Sequence, residues 1–252
     1  MMNILLTNDD GFDSELLRIL CRAAAARGHR VSVSAPATQQ SAKSHSFTLT
    51  QPLIVHERAM EGAAEAWAVE GTPVDSARLG FMTLATEPID LVISGMNNGE
   101  NVGLATYVSG TVGAAREAAF QRKRAMAVSM EAGTPIETAR FFADWVITVA
   151  EHYMTYPAPE MAVCNLNVPR VPMHELKAPV VCPISTNVYQ DYYEGRVSPR
   201  GAAYYWLSPM QEDTNPTPGS DVDMLQRGHI TCTFLTPEPC DQAAFADFFE
   251  GL

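Results

Sequence analysis

The chain has 252 residues and 46% of them are hydrophobic, which suits one large folded domain. Its 17 basic and 29 acidic residues give a net charge of −12, so the composition argues against binding to nucleic-acid polymers. The five cysteines are widely spaced and form no C-x-x-C motif, which predicts neither a disulfide framework nor a thiolate zinc site. Without a membrane-length apolar run or a signal-peptide pattern, we expect a cytoplasmic protein with no membrane contact.

The hydrophobic pattern alternates between strand and helix, which indicates an α/β fold with a Rossmann-like, doubly wound and mostly parallel sheet. The predicted strands lie at residues 3–7, 31–34, 53–55, 67–69, 89–95, 125–130 and 229–235. Helical patterns begin near Leu16, after Thr72 and at Ser109, and cover about 136–153 and 221–227. Thr72, Pro73 and Asp75 have the residue types of a capping box with proline at the first helical position.

Two regions do not fit this alternation. Residues 36–52 are rich in Pro, Gln, Ser and Thr, and a loop of that length in a compact domain is more often functional than idle. Residues 169–218 contain many prolines and aromatic pairs, which indicates β-hairpins. We expect a single domain over 1–252, with its core at about 1–168 and 219–240. The excursion at 169–218 either packs against a partner subunit or folds back on its own chain.

The most informative feature is Asn8-Asp9-Asp10-Gly11, which directly follows the first predicted strand. In an open α/β sheet, ligands bind beyond the carboxyl ends of the strands, where these two carboxylates would lie. Dinucleotide-binding folds place a glycine-rich, phosphate-binding turn there. Two adjacent negative charges would repel a phosphate unless a cation stood between them. The pair therefore indicates a divalent metal site, although Asp and Gly are also common where a strand simply turns into a helix.

Other oxygen donors occur in segments that a doubly wound sheet could bring to the same edge. They are Ser41 in the first long loop, Asn97 and Asn98 after the 89–95 strand, and Ser109 with Thr111 at a helix start. Carboxylate, hydroxyl and amide oxygens without histidine or thiolate suit Mg²⁺ or Mn²⁺. Each group also has an ordinary structural interpretation, as a solvated loop, a turn or a helix cap.

Several motifs together resemble one known family, the stationary-phase survival protein SurE, a group of metal-dependent 5′-nucleotidases. They are Thr7-Asn-Asp-Asp-Gly11, Ala35-Pro36 with Gln40-Ser41, Gly71-Thr-Pro-Val-Asp75, Ser94-Gly-Met-Asn-Asn-Gly-Glu-Asn101 and Ser109-Gly-Thr-Val112. The segments Asn165-Leu-Asn-Val-Pro169, Tyr205-Trp206, Ser220-Asp221 and Gly228-His-Ile-Thr231 match more loosely. The likeness covers most of the chain.

The resemblance implies roles for particular residues. Those that match Asp9, Asp10, Ser41 and Asn97 hold the metal in the family. Those that match Asn98, Ser109, Gly110 and Thr111 lie at the phosphate, in agreement with anion binding at a helix N-terminus. The family also forms dimers and larger assemblies, which implies a homodimer or homotetramer here.

The chain departs from the family pattern at several positions. Ala42 and Ser44 stand where many members carry glycine. Leu104, Ala105 and Val108 stand in a stretch where many members have an acidic residue and a tyrosine. The segment 200–204 also lacks the more usual aromatic pattern. No departure removes an expected metal ligand, so the differences bear on substrate preference and loop mobility.

The resulting hypothesis is a 5′-nucleotidase that hydrolyses nucleoside monophosphates with one divalent cation, with Asp9, Asp10 and Asn97 as the catalytic set. Activity on 3′-nucleotides remains open, as does the choice between aspartate and water as the attacking group. The alternatives are a non-catalytic magnesium- and phosphate-binding module, or a receiver-like domain. The receiver interpretation lacks its acceptor aspartate, because Gly95 occupies that position, and residues 125–130 offer no lysine. A haloacid-dehalogenase-type phosphatase would need a D-x-D nucleophile motif, which is absent.

Overall fold

The computed structural model describes residues 1–187, 191–208 and 215–237. Parts of the predicted excursion, at 188–190 and 209–214, lie outside the described residues, as do Cys240 and the last three residues of the predicted core, 238–240. The other four cysteines are free thiols.

A nine-stranded, mostly parallel sheet forms the centre of the molecule, in the order β3-β4-β2-β1-β5-β6-β7-β11-β8. Its strands are β1 (Asn3–Thr7), β2 (Arg30–Pro36), β3 (Ile54–Glu57), β4 (Glu65–Glu70), β5 (Leu91–Asn98), β6 (Arg124–Met130), β7 (Val163–Val168), β8 (Lys177–Val181) and β11 (His229–Leu235). Only the β3–β4 and β7–β11 pairs are antiparallel. The predicted doubly wound α/β fold is confirmed.

Helices cover both faces of this sheet. They are α1 (Glu15–Ala26), α2 (Pro73–Leu79), α3 (Ala105–Val108), α4 (Gly110–Phe120), α5 (Ile136–Thr155) and α6 (Asp221–Gln226), and a π-helical turn at Gly80–Leu84 extends α2. On one face, Leu20 of α1 and Phe142 of α5 pack with Ile4 and Ile93 of the central strands. On the other face, Val112 of α4 packs against Leu5 of β1. Successive residues of one strand therefore serve opposite cores, as the two-sided burial of a parallel sheet requires.

The predicted capping box of α2 is present. The Thr72 hydroxyl accepts a hydrogen bond from the Asp75 backbone N–H, and the Asp75 carboxylate accepts one from the Thr72 N–H. The same carboxylate also accepts from the backbone N–H and the hydroxyl of Thr48, at 2.8 and 2.7 Å. Asp75 thus fastens the long 36–52 loop to α2 as well as capping the helix.

Three elements differ from the predicted pattern. Asn97 and Asn98 are the last residues of β5, rather than the first of a loop, because the strand continues past an irregularity in its register between Gly95 and Asn97. The short helix α3 lies between β5 and α4, where no helix was predicted. Within the 169–218 range, β8 pairs with β11 and so belongs to the main sheet.

The described residues of the rest of the excursion contain one hairpin. Strands β9 (Tyr193–Val197) and β10 (Ala203–Leu207) pair only with each other, and every residue of both is exposed. Tyr205 and Trp206 retain 66% and 61% of their accessible surface.

In the part of the chain that the structure describes, no helix is both long and apolar enough to cross a lipid bilayer.

Candidate active site

The candidate site lies where the winding of the sheet reverses. From β1 the chain continues to β2 on one side, and it later returns to pair β5 with the other side of β1. Open α/β sheets bind ligands in the crevice beyond the carboxyl ends of two such strands. Asp9 and Asp10 follow the end of β1, while Asn97 and Asn98 end β5, so the fold brings both predicted groups to this crevice.

A tight turn fixes the direction in which the chain leaves β1. The buried Asn8 side chain accepts a hydrogen bond from the Gly11 N–H at 3.1 Å and donates one to the Gly11 carbonyl at 3.0 Å. Gly11 has a φ of +99°, and a Cβ there would come within 3.2 Å of the backbone at Thr38 and Gln39. Glycine is therefore needed for the backbone conformation and for the close approach of the first loop.

Asp9 lies against the start of α4. Its side chain is 6% exposed, and its Oδ1 accepts a very short hydrogen bond from the hydroxyl of the fully buried Thr111. A Cβ at Gly110 would come within 3.0 Å of the Asp9 Cβ, so glycine allows the helix to approach. The Thr111 hydroxyl, which the resemblance placed at the phosphate, thus orients Asp9 directly.

Asp10 is tied to the end of β5. Its Oδ2 accepts a hydrogen bond of 3.1 Å from the Asn98 backbone N–H. Burial raises the pKa of Asp10, and this hydrogen bond opposes the rise. Burial likewise raises the pKa of Asp9, against the effect of the Thr111 hydrogen bond, and the neighbouring Asp10 charge raises it further. In both cases burial disfavours the ionised carboxylate, and a bound cation would favour it.

The helix α4 presents its N-terminus beside Asp9. Ser109 is its N-cap, and the Ser109 hydroxyl accepts from the Val112 N–H at 3.1 Å, as the capping interpretation predicted. Asn97, on β5, donates through Nδ2 to the Gly99 carbonyl at 2.6 Å, which leaves its amide oxygen for a metal. The side chain of Asn98 is exposed at the mouth of the crevice.

Ser41 lies on the first long loop and is exposed. The preceding residue, Gln40, donates its N–H to the Asp9 carbonyl at 2.7 Å, which brings the loop to the crevice. Beyond Ser41, both Ala42 and Ser44 have a φ of 55°, the left-handed conformation that glycine adopts most easily. These are the two positions where many family members carry glycine, so the loop keeps that conformation without the usual residue.

Side-chain bonds fasten this loop to the helices. The Ser44 hydroxyl donates to the Tyr107 carbonyl at 2.7 Å, and its N–H donates to the Val108 carbonyl at 3.0 Å. His45 contacts the buried carboxylate of Glu117 at 2.9 Å, which also pairs with Arg78. The loop is therefore held on α3 and α4, close to the α4 N-terminus.

Sequence reasoning missed a set of buried amides beside the site. Asn165 and Asn167, on β7, hydrogen-bond to the backbone of Asn101, three residues beyond β5. The sequence signals were the match of Asn165-Leu-Asn-Val-Pro169 to the family and the polar Asn-Leu-Asn alternation in an otherwise apolar strand, and neither assigned these amides a role. Asp221 was likewise noted only for its match to the family, and it accepts a hydrogen bond of 2.7 Å from the Gly103 N–H.

The donor set fits a hard divalent cation. In the described ranges, no cluster of three or more His, Cys, Asp and Glu side chains could hold a metal, because the candidate set contains two acids only. Its other donors are the amide oxygen of Asn97 and the hydroxyl of Ser41. Such an all-oxygen set suits Mg²⁺ or Mn²⁺, and two adjacent, partly buried carboxylates need a positive charge between them.

A large cleft runs beside α3 and α4. Its volume is about 790 Å³, and its lining includes Phe120, Val181 and Leu235 but no candidate site residue. Leu235 pairs with Val163, the first residue of β7, so this part of the cleft lies at the amino ends of the parallel strands. The candidate active site lies at the opposite edge.

Comparison with known families identifies the chain. The sequence model described as "Survival protein SurE" matches residues 4–191. The chain belongs to the SurE family. The family resemblance read from the motifs is confirmed.

Individual relatives extend the match over almost the whole chain. The "5′-nucleotidase SurE" of Nitratidesulfovibrio vulgaris (strain DP4) is 40% identical over 237 residues, which are 93% of each chain. That of Maridesulfovibrio salexigens is 39% identical over 245 residues, or 97% of each. The crystal structure of the SurE protein from Aquifex aeolicus superimposes with a TM-score of 0.80 at 26% identity, covering 98% of this chain and 99% of that one. These comparisons do not favour the non-catalytic, receiver-like alternative.

Proposed function

We propose that this SurE protein is a metal-dependent 5′-nucleotidase that hydrolyses nucleoside monophosphates. The observation that carries the proposal is the contact between Asp9 and the start of α4. A carboxylate suited to a metal there lies beside a helix N-terminus suited to an anion. A phosphate monoester needs both, since its charge must be met by a cation and by hydrogen-bond donors. The near full-length similarity to relatives named 5′-nucleotidase SurE supports the same activity.

The residues of the chain divide the work between the two halves of the crevice. Asp9, Asp10, Ser41 and Asn97 would hold the cation. Asn98 and the Ser109–Thr111 helix start would bind the phosphate oxygens, with backbone N–H groups and the helix dipole favouring negative charge. Thr111 also orients Asp9 through its hydroxyl.

A bound cation would supply charge neutralisation at the phosphate and a lowered pKa for a coordinated water. The protein positions its side chains before substrate arrives. Asn8 fixes the turn, Thr111 orients Asp9, and the Asn98 N–H orients Asp10. Such preorganisation is the main protein contribution in phosphoryl transfer, where positioning and charge stabilisation dominate.

The test is phosphate release from a panel of 5′- and 3′-nucleoside monophosphates. The protein is assayed as purified, after chelation, and after Mg²⁺ or Mn²⁺ is restored singly. We expect hydrolysis that chelation abolishes and that Mn²⁺ or Mg²⁺ restores. Undiminished turnover after exhaustive removal of metal would refute the mechanism, and turnover of no nucleotide would refute the function.

We further propose that the protein is a homo-oligomer and that the β9–β10 hairpin contributes to the contact. The hairpin lies apart from the main sheet and exposes a row of aromatic residues, the composition of an interface. Replacing Tyr205 and Trp206 with serine should lower the sedimentation coefficient at micromolar concentration. A native protein that sediments as a monomer would refute this proposal. The cytoplasmic location stays a prediction.

A further inference from the structure

The segment between β5 and α4 joins the two halves of the proposed site. It begins after Asn98, next to the proposed metal ligand Asn97, and ends at Ser109, at the proposed phosphate site. Its first residue, Gly99, is anchored to the sheet because its N–H donates to the Met130 carbonyl at 2.7 Å. Any movement of this segment would change the position of one half relative to the other.

Two asparagines from β7 form hydrogen bonds to the backbone in the middle of the segment. Asn167 accepts from the Asn101 N–H at 2.7 Å and donates to the Asn101 carbonyl at 3.1 Å, so one carboxamide binds both backbone groups of one residue. Asn165 donates to the same carbonyl at 2.9 Å. In turn, the Asn101 side chain donates to the Ser129 hydroxyl at 2.8 Å. The backbone of Asn101 is thereby bonded in place on a buried part of the sheet.

A buried carboxylate accepts a hydrogen bond from the segment two residues later, at Gly103. Asp221 is 0% exposed, and its Oδ2 accepts from the Gly103 N–H at 2.7 Å. Its Oδ1 accepts from the N–H groups of Ser185 and Val222, at 2.7 and 2.9 Å. No basic side chain among the described residues pairs with it, so backbone N–H groups alone compensate its charge. Burial raises the pKa of Asp221, and the hydrogen bonds from the Gly103, Ser185 and Val222 N–H groups oppose the rise.

Further hydrogen bonds lie between Gly103 and the proposed phosphate site. The Thr106 hydroxyl donates to the Gly103 carbonyl at 2.7 Å. The N–H of Ser109, the cap of α4, donates to the Ala105 carbonyl at 3.0 Å. Hydrogen bonds at Asn101, Gly103 and Ala105 therefore hold successive points of the segment between β5 and the helix start that meets Asp9.

We propose that Asn165, Asn167 and Asp221 are positioning residues, which fix the spacing of the metal and phosphate halves by holding residues 101–103. The proposal rests on the 5′-nucleotidase function above. Among the described residues, their hydrogen bonds go to neither a proposed metal ligand nor a proposed phosphate-binding residue. They act by keeping the two halves preorganised, and a small displacement of reacting groups costs a large factor in rate.

Asn167→Leu tests this directly, because leucine has a similar size and removes both bonds to Asn101. With saturating Mn²⁺, we expect kcat for nucleoside monophosphate hydrolysis to fall about tenfold or more. The Mn²⁺ dissociation constant, titrated without nucleotide, should change less than about threefold, because β1 and Thr111 still hold the aspartates. Native kcat for folded Asn167→Leu, with only a lowered unfolding midpoint, would make the residue merely structural and overturn the proposal.

Thr231→Val is the matched control. Thr231 lies opposite Asn167 in the β7–β11 pair and is 1% exposed, and its hydroxyl has no hydrogen-bond partner among the described residues. Valine has nearly the same shape, so this variant should keep the native kcat. An equal loss of kcat in Thr231→Val would overturn the proposal, because any substitution in that buried layer would then lower kcat, whether or not it removed the bonds to Asn101.

A second variant covers the case in which Asn167→Leu does not fold. Asn167→Asp puts a carboxylate against the Asn101 carbonyl, and a proton on that carboxylate restores the missing donor. Its kcat, divided by that of the native enzyme at the same pH, should therefore rise as pH falls. A ratio that does not change with pH would overturn the inference while native turnover stands. A native enzyme without nucleotidase activity would overturn the proposed function, and this inference with it.

Discussion

The two sides of the proposed metal site are built differently. Asp9, Asp10 and Asn97 stand at the ends of paired central strands, and hydrogen bonds from buried or backbone groups hold both aspartates. Ser41 is exposed on a long loop, and the neighbouring Gln40 joins that loop to Asp9 by a backbone hydrogen bond. The strand ends carry the charge in fixed positions, whereas the loop would add a neutral ligand from a segment with two left-handed, non-glycine residues. Changes at the strand ends should therefore affect activity most, and changes in the loop should affect it least.

The largest effect should follow the loss of charge at the strand end. Asp9→Asn and Asp10→Asn keep the side-chain shape and an oxygen to accept the Thr111 or Asn98 hydrogen bond, so both should fold. We expect each to lower kcat by at least about a hundredfold, because each removes a charge that holds the cation. Steady-state kinetics at saturating Mn²⁺ measures this. Near-native rates in both variants would mean that Asp9 and Asp10 only form a turn and hold no catalytic cation.

A smaller loss should follow when the orientation of Asp9 is disturbed but its charge remains. Thr111→Val removes the hydroxyl that donates to Asp9 and leaves the start of α4 in place. We expect catalytic efficiency to fall by about 1–2 kcal/mol, the value of one hydrogen bond to a charged group. The Mn²⁺ affinity should fall with it, because the hydroxyl serves a metal ligand. Weakened phosphate inhibition with unchanged Mn²⁺ affinity would instead assign this hydroxyl to the phosphate alone.

The raised pKa of Asp10 predicts a gain of stability when its charge is removed from the metal-free protein. A carboxyl with a pKa raised above its ordinary value favours folding when protonated, and this contribution is lost as pH rises through the folded-state pKa. Chelated Asp10→Asn should therefore gain in free energy of unfolding over the chelated native protein as pH is raised from about 4 to 8. Urea unfolding measures the difference. A difference that shrinks with rising pH would mean that the site stabilises the ionised form.

The smallest effect should come from the backbone of the loop. At a φ of 55°, Ala42→Gly removes the strain of a Cβ in the left-handed region, while glycine adds flexibility to the unfolded chain. The net gain should be about 0.5 kcal/mol in free energy of unfolding, with native turnover. Ala26→Gly, at the exposed end of α1, is the control and should destabilise by up to about 1 kcal/mol. A loss of stability in both variants would argue against strain at Ala42.

Much of this arrangement could be read from the sequence because it depends on local pattern. The alternation of elements, the capping box at Thr72 and the carboxylates after β1 follow from residue types and short spacings. The hydrogen bonds to Asn101 could not be predicted from the sequence, because they join side chains on β7 to a backbone more than sixty residues away. No periodicity marks such a contact. The continuation of β5 through Asn98 was missed for a similar reason, since its polar residues lie at the sheet edge and pair with β6 there.

The central claim is that Asp9 and Asp10 hold one divalent cation at the edge of the sheet. Calorimetric titration of the chelated protein with Mn²⁺, without nucleotide, tests it most directly. We predict one high-affinity site per chain in the native protein and no such site in Asp10→Asn. High-affinity Mn²⁺ binding that Asp10→Asn leaves unchanged would contradict the account, because the metal would then be held elsewhere.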